Sequence, residues 1–242
     1  RMRLETKVSA KTRIEVVTEG VFARMIIDDP SLENIAGVIF DEYHERSLDA
    51  DVGLALALDV QAALRNDLRI IVMSATLDSA RIAALMHDAP VIVSEGRAFD
   101  VDLRYLGRKL DERLEDATLK AIQLALREEQ GSLLVFLPGQ AEIQRVANKL
   151  KDLSLKNIDI APLYGALDRQ AQEWAISAAE PGRRKITLST SIAETSLTIQ
   201  GVRIVIDCGL SRVQHYEPDL GLTRLETIRA ARSSVDQRAG RA

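Results

Sequence analysis

Residues 37–46 read Gly-Val-Ile-Phe-Asp-Glu-Tyr-His-Glu-Arg. The run from Gly37 to Phe40 is short, apolar and bounded, the pattern of a strand buried on both faces of a parallel sheet. Two carboxylates follow at once. In an open α/β sheet, ligands lie outside the carboxyl ends of the strands, so Asp41 and Glu42 are expected to project into a site and not into the core. Such a pair suits phosphate chemistry. One acid can hold Mg²⁺ through its water shell while its neighbour orients or deprotonates an attacking water. The plain alternative is a strand terminator followed by a loop, and the dipeptide alone does not decide between the two.

Composition sets the frame. With 242 residues, 46% hydrophobic and 28% charged, the chain fits one large or two modest globular α/β domains. No apolar run approaches the roughly 18 residues needed to span a bilayer, and Arg1-Met2-Arg3-Leu4-Glu5 is not a signal peptide. A cytoplasmic location without membrane partners is expected. The single Cys208 has no internal disulfide partner, and three scattered histidines lack metal-ligand spacing, so no structural zinc is expected. A net charge of −4 argues against a nucleic-acid binder on average. A local basic track would still serve, built from Arg1, Arg3, Lys7, Lys11 and Arg13 or from Arg183-Arg184-Lys185. Each cluster reads more readily as a solvated face.

Along the chain, strands and helices alternate. Ile14–Val17 reads as a strand, and Thr18-Glu19-Gly20 leads into an apolar-periodic helix, Val21–Ile27, closed off by Pro30. Free N–H groups at that helix start make either an anion site or an ordinary N-cap. A long Ala- and Leu-rich helix is expected over 48–65, then a strand, Arg69–Met73, ending in Ser74-Ala75-Thr76. Those hydroxyls could simply cap the helix from Asp78 to Met86. Another strand is expected over Pro90–Ser94. A connection near 95–115, with Gly96 and a charged run from Arg108 to Arg113, separates two strand-helix series, and we divide the chain into 1–98 and 99–242.

The second series runs helix 117–129, strand 132–137, Pro138-Gly139-Gln140, helix 141–150, strand 158–164 and a helix capped by Asp168. Trp174 and Ile176 read as packing residues. Strand 185–189 then delivers Thr190-Ser191-Ile192-Ala193-Glu194-Thr195-Ser196-Leu197-Thr198, a density of hydroxyls that must hydrogen-bond something. Strand 202–207 follows, then two alternating segments, 211–216 and 222–228, flanking the turn Glu217-Pro218-Asp219-Leu220-Gly221, a hairpin signal. The chain closes on Gln237-Arg238-Ala239-Gly240-Arg241-Ala242. Arg238 and Arg241, three apart, share one helical face, and such guanidinium forks suit phosphate contact.

Set in order, these stretches resemble the motifs of DEAH-box helicases of superfamily 2. Asp41-Glu42-Tyr43-His44-Glu45-Arg46 resembles the Walker B motif, with Tyr43 where the name-giving pattern has Ala. Thr18 and Gly20 match motif Ib, Ser74 and Thr76 motif III, 138–140 motif IV, 190–198 motif V and 237–241 motif VI. The run Gly221–Thr227 is similar to the bacterial HrpB branch. The resemblance implies an α/β fold of two RecA-like lobes with mostly parallel sheets, both incomplete in this chain. No Gly-x-x-x-x-Gly-Lys-Ser/Thr phosphate loop occurs; it is expected upstream of residue 1. A further Arg is expected beyond Ala242.

The resemblance also implies roles. Asp41 positions Mg²⁺, Glu42 activates water, and His44 couples to Gln237. Arg238 and Arg241 face the phosphates, Arg241 at the γ-phosphate, while Ser196, Thr198, Ser74 and Thr76 serve the nucleotide site. Thr18, Gly20, Thr190 and Ser191 contact the nucleic-acid backbone; Ser191 stands where the family commonly has Asn. The 210–229 hairpin is a wedge or bookend against the bases. The expected whole protein is an ATP-dependent RNA helicase, using ATP or other NTPs with Mg²⁺ on single-stranded or partly duplex RNA. A DNA-directed helicase, or a nucleic-acid-binding scaffold with a decayed ATPase, are the alternatives, and this piece alone is expected to be inactive.

Overall fold

The computed structural model describes residues 8–9, 11–45, 47–74, 79–94, 100–109, 111–194, 198–219 and 221–242. Strand β1 (Gly37–Phe40) pairs in parallel with β2 (Arg69–Val72), Gly37 opposite Arg69 and Phe40 opposite Val72. Helix α1 (Glu19–Asp28) precedes them, α2 (Leu48–Ala63) makes the crossover, and α3 (Ser79–Leu85) follows. The chain divides into two compact units, Arg1–Gly96 and Arg97–Ala242.

In the first unit, helical spacing decides what is buried. Phe22 and Ile26, four apart on α1, and Ala50, Leu54 and Ala57 on α2 form one core with Phe40 and Leu68. Phe22 meets Phe40 edge to face at 5.5 Å. Gly53 lets α2 approach: a Cβ there would lie 3.3 Å from Phe22 and 3.4 Å from Phe40. Ser47 caps α2 by accepting from the Ala50 N–H at 3.0 Å, and its hydroxyl donates to Glu19 at 2.6 Å, tying the starts of α1 and α2 together.

Three expectations fail here. β1 is not buried on both faces: Ile39 is 60% exposed and its ladder neighbour Ile71 is 50% exposed, because the helices cover only the Phe40 side of this two-stranded sheet. Residues 14–17 and 90–94 form no strand, and Ile14 and Ile92 are open to solvent. Their β-branched side chains supply propensity, but propensity depends on context and does not make a strand by itself.

The second unit opens with α4 (Leu114–Glu128) and holds a four-stranded parallel sheet of β3 (Ser132–Phe136), β4 (Ile158–Leu163), β5 (Arg184–Ser189) and β6 (Val202–Asp207), ordered β4-β5-β3-β6. Strand alternation sorts its two faces. Leu133, Val135, Ile186 and Leu188 pack with Ile122 of α4 and with Ile143, Val146 and Leu150 of α5 (Gln140–Asp152). Leu134, Phe136, Ala161 and Leu163 pack on the other side with Ala175 of α6 (Arg169–Ile176). Strands β7 (Leu210–Glu217) and β8 (Leu222–Arg229) form the expected antiparallel hairpin, and α7 (Arg232–Ala239) ends the chain.

The Arg183-Arg184-Lys185 cluster is not a basic track. Lys185 is 3% exposed; its ammonium donates to the carbonyls of Trp174 and Ser177, closing the end of α6, and lies 4.8 Å from the Trp174 ring. Arg183 pairs with Asp159, and Arg184 donates to the carbonyls of Gly131 and Leu126. All three sit at the amino end of β5, where parallel sheets do not bind ligands. Of the other basic cluster, Arg1, Arg3 and Lys7 lie outside the described residues, and Lys11 and Arg13 are exposed.

Candidate functional site

In the second unit, the expected stretch 138–140 follows β3 and 190–194 follows β5, both at the carboxyl end of its sheet, while 237–241 spans the end of α7 and the residues just after it. In the first unit, Asp41 and Glu42 lie beyond β1, and Ser74 lies just beyond β2. The Met73 N–H donates to the Phe40 carbonyl at 2.8 Å and the Tyr43 N–H to the Met73 carbonyl at 3.0 Å, so the two strand ends are locked side by side. Thr76 and Ser196 lie outside the described residues.

Glu42 takes φ +50°, the left-handed region that side chains with a Cβ rarely occupy. Such backbone costs on the order of 1–3 kcal/mol and persists only where its surroundings hold it. Here the Glu42 N–H donates to Asp41 Oδ1 at 2.8 Å, and Tyr43 anchors the far side. Tyr43 is 4% exposed, stacks edge-on to Phe40 at 6.3 Å and donates its hydroxyl to Asp51 of α2 at 2.7 Å. The third letter of the motif is thus a core residue. The turn leaves both carboxylates exposed, with His44 Nδ1 3.4 Å from Glu42 Oε2. The structure brings Asp41, Glu42 and His44 together.

Thr18 and Gly20 are exposed at the start of α1, and the Thr18 side chain makes no cap bond. Thr190 is half-buried, its N–H bonded to the Leu163 carbonyl, and Ser191 is exposed in a 3₁₀ turn spanning Ser191–Ala193. Gln237 lies half-buried on α7. Thr198 and Arg241 line a common cleft of about 170 Å³ with Leu134, Ile199, Val202 and Gly240. The Arg241 guanidinium donates through Nε, at 2.7 Å, and through Nη2 to one acceptor, the Glu194 carbonyl.

Arg238 does not face a phosphate. It is 1% exposed. Nε donates to Glu194 Oε1 at 2.6 Å, and Nη1 to Asp207 Oδ1 at 2.8 Å and the Leu210 carbonyl at 3.1 Å. Nη2 donates to Ser211 Oγ at 2.6 Å and pairs with Glu194 Oε1 at 2.5 Å. Four hydrogen bonds and two ion pairs thus hold the guanidinium inside the unit. Burial opposes the charge on Arg238, but Asp207 and Glu194 outweigh it and hold its pKa above the ordinary guanidinium value. The guanidinium ties the turn after β5 to the ends of β6 and β7.

Three residues of this knot were not singled out from sequence: Glu194, Asp207 and Ser211. The signal for Glu194 was there, since it is the one acid among five hydroxyls in 190–198. Asp207 read only as the end of a strand.

Cys208 follows Asp207. Burial pushes its thiol up to about 11 from an ordinary 9.0. At pH 8 that lowers the thiolate fraction roughly a hundredfold. A thiol-disulfide reagent is therefore expected to label the folded protein about a hundred times more slowly than the urea-unfolded one; equal rates would contradict this burial.

Among the described residues, no group of three His, Cys, Asp or Glu side chains could hold a metal, and no helix is long and apolar enough to cross a membrane.

Residues 114–242 match the family described as the helicase conserved C-terminal domain. Over its whole length the chain is 52% identical to the ATP-dependent RNA helicase HrpB of Escherichia coli, of which it covers 30%. It is also 35% identical to the pre-mRNA-splicing factor ATP-dependent RNA helicase prp22 of Schizosaccharomyces pombe, covering 21% of that protein. The crystal structure of the E. coli DEAH/RHA helicase HrpB superposes with a TM-score of 0.91, covering all of this chain and 31% of that one. The chain thus spans a third or less of the length of these relatives. With more than half of its residues matched to that family's model, the chain belongs to the helicase conserved C-terminal domain family.

Proposed function

We propose that the whole protein is an ATP-dependent RNA helicase of the DEAH-box kind, working in the cytoplasm. The observation that carries this reading is the turn at Glu42: an exposed carboxylate, held in strained backbone at a strand's carboxyl end beside a second acid, in a chain 52% identical to HrpB. Strain kept at an exposed acid points to use of that acid.

Asp41 and Glu42 offer oxygen donors alone, and no third His, Cys, Asp or Glu joins them among the described residues. That set fits Mg²⁺, which is commonly held by one or two carboxylates with waters and nucleotide phosphates completing its shell. When bound, the ion neutralises charge on the phosphates. Asp41 is the residue that positions it. Glu42 takes a proton from the attacking water, and His44, 3.4 Å away, orients the Glu42 carboxylate; Gln237 belongs to the same hydrolytic set. Arg241 meets the γ-phosphate, with Thr198 lining the same cleft. Ser74, Thr76 and Ser196 belong to the nucleotide-sensing set, and Thr18, Gly20, Thr190 and Ser191 to the RNA backbone.

The test is RNA-stimulated ATP hydrolysis by the whole protein. Glu42→Gln should lower kcat by about 10²–10⁴, the usual contribution of general-base catalysis, with nucleotide binding retained. Unchanged turnover overturns the reading. Stimulation by DNA equal to that by matched RNA, at fixed salt, would assign the substrate to the other nucleic acid.

A further inference from the structure

The β7–β8 hairpin stands on two arginines. Arg238 takes the Leu210 carbonyl and Ser211 Oγ at its root. The second is Arg212, one residue further along β7. Its guanidinium donates twice to Thr227 Oγ1 of the facing strand at 3.3 Å and reaches Glu142 Oε1 of α5 at 3.5 Å. To get there it lies directly over Gly139, the N-cap of α5. A Cβ on Gly139 would fall inside contact distance of Arg212 Nη1 and 2.9 Å from Cζ, so this seat exists only because residue 139 has no side chain.

The seat is electrostatically unusual. The amino end of a helix repels cations, and an arginine stays there only if an acid offsets the helix dipole. Glu142, in the first turn, is that acid. It is braced in turn by Arg145 at 2.8 Å, and Arg145 by Glu115 of α4 at 2.5 Å. Glu142 Oε2 is buried with no hydrogen-bond partner, so the carboxylate depends on its arginines. Further out, every residue of β8 is exposed.

Geometry says what the seat is for. Eight residues of strand extend about 26 Å, so a rotation of roughly 10° at the root moves the tip by about 5 Å. We propose that Arg212, seated on Gly139 and Glu142, is a positioning residue that fixes the angle of the hairpin, so that movement along RNA is converted into strand separation. The proposal rests on the helicase reading above and on the hairpin acting as a wedge. Arg212 holds Thr227 and Glu142 and is not among the residues assigned above to nucleotide or RNA, so it governs coupling and leaves hydrolysis alone.

The experiment uses the whole protein with a partly duplex RNA and measures ATP hydrolysed and duplex unwound together. Arg212→Ala is expected to leave RNA-stimulated ATP turnover within twofold, while duplex unwound per ATP falls at least fivefold. Hydrogen exchange should rise in segments 213–216 and 223–226 and stay unchanged in β3 and β5. Gly139→Val, which pushes the guanidinium off its seat while keeping it in the chain, should reproduce the coupling loss. Arg212→Lys keeps the charge without the planar fork and should fall between. A third arm replaces residues 214–225 by two glycines. If that truncation unwinds normally, the wedge reading fails and the latch with it. If truncation abolishes unwinding but Arg212→Ala and Gly139→Val unwind normally per ATP, the latch alone is overturned.

Discussion

Arg241→Ala is expected to lower kcat for ATP hydrolysis in the whole protein by about 10³–10⁵, the range an arginine finger supplies, without changing the stability of the second unit. The difference between Arg238, on α7, and Arg241, two residues past its end, lies in their acceptors. Arg238 is bonded to two carboxylates; Arg241 is bonded to a neutral carbonyl, that of Glu194. Charge-assisted hydrogen bonds are about twice as strong as neutral ones. A polyphosphate therefore displaces these Glu194 carbonyl bonds of Arg241 more readily than the carboxylate pairs of Arg238. Arg241→Lys should recover little, because an ammonium lacks the planar fork. Steady-state hydrolysis with saturating RNA, beside a thermal melt, checks both halves; a kcat within threefold of the parent would remove Arg241 from the site.

Arg238→Met is expected to have the largest effect on stability, about 3–5 kcal/mol, because it strands two carboxylates that are at most 16% exposed, Glu194 and Asp207, without their counter-ion. A typical domain holds about 5–15 kcal/mol in total, so the second unit should become marginal near 37 °C. Cys208 offers a readout local to that unit: its labelling rate in rising urea reports the unit's own unfolding and should shift to lower urea in the variant. Adding Glu194→Gln and Asp207→Asn should return much of the loss, since the cost comes from unpaired charge and not from missing volume. A variant that loses hydrolysis but unfolds at the parent's urea midpoint would restore Arg238 to the phosphate.

These two arginines mark where sequence stops being informative. Spacing placed both on one helical face, and both read as phosphate forks. What distinguishes them is the company at the other end of the side chain, and that company comes from β6, β7 and the turn after β5, 27 to 47 residues away in the chain. Long-range partners leave no local periodicity. The same limit explains Lys185. Its neighbours in sequence are basic, but alternation along β5 turns it inward onto the end of α6. By contrast, the parallel strands, the hairpin and the Asp41-Glu42 turn were legible, because apolar runs, turn residues and strand-end acids are local signals. Ile14–Val17 and Pro90–Ser94 had the local signal and form no strand, so propensity alone misled.

Tyr43 shows the other side of this. In the motif it fills the slot of lowest chemical consequence, yet in the fold it bridges Phe40 and Asp51. Restoring the name-giving Ala would open a hole beside Phe40 and remove the Tyr43 hydroxyl from Asp51. Positions 43 and 51 are therefore epistatic: a history that trades one letter of the signature must also rewrite a helix eight residues downstream, and grafting the motif between homologues one residue at a time passes through intermediates worse than either parent.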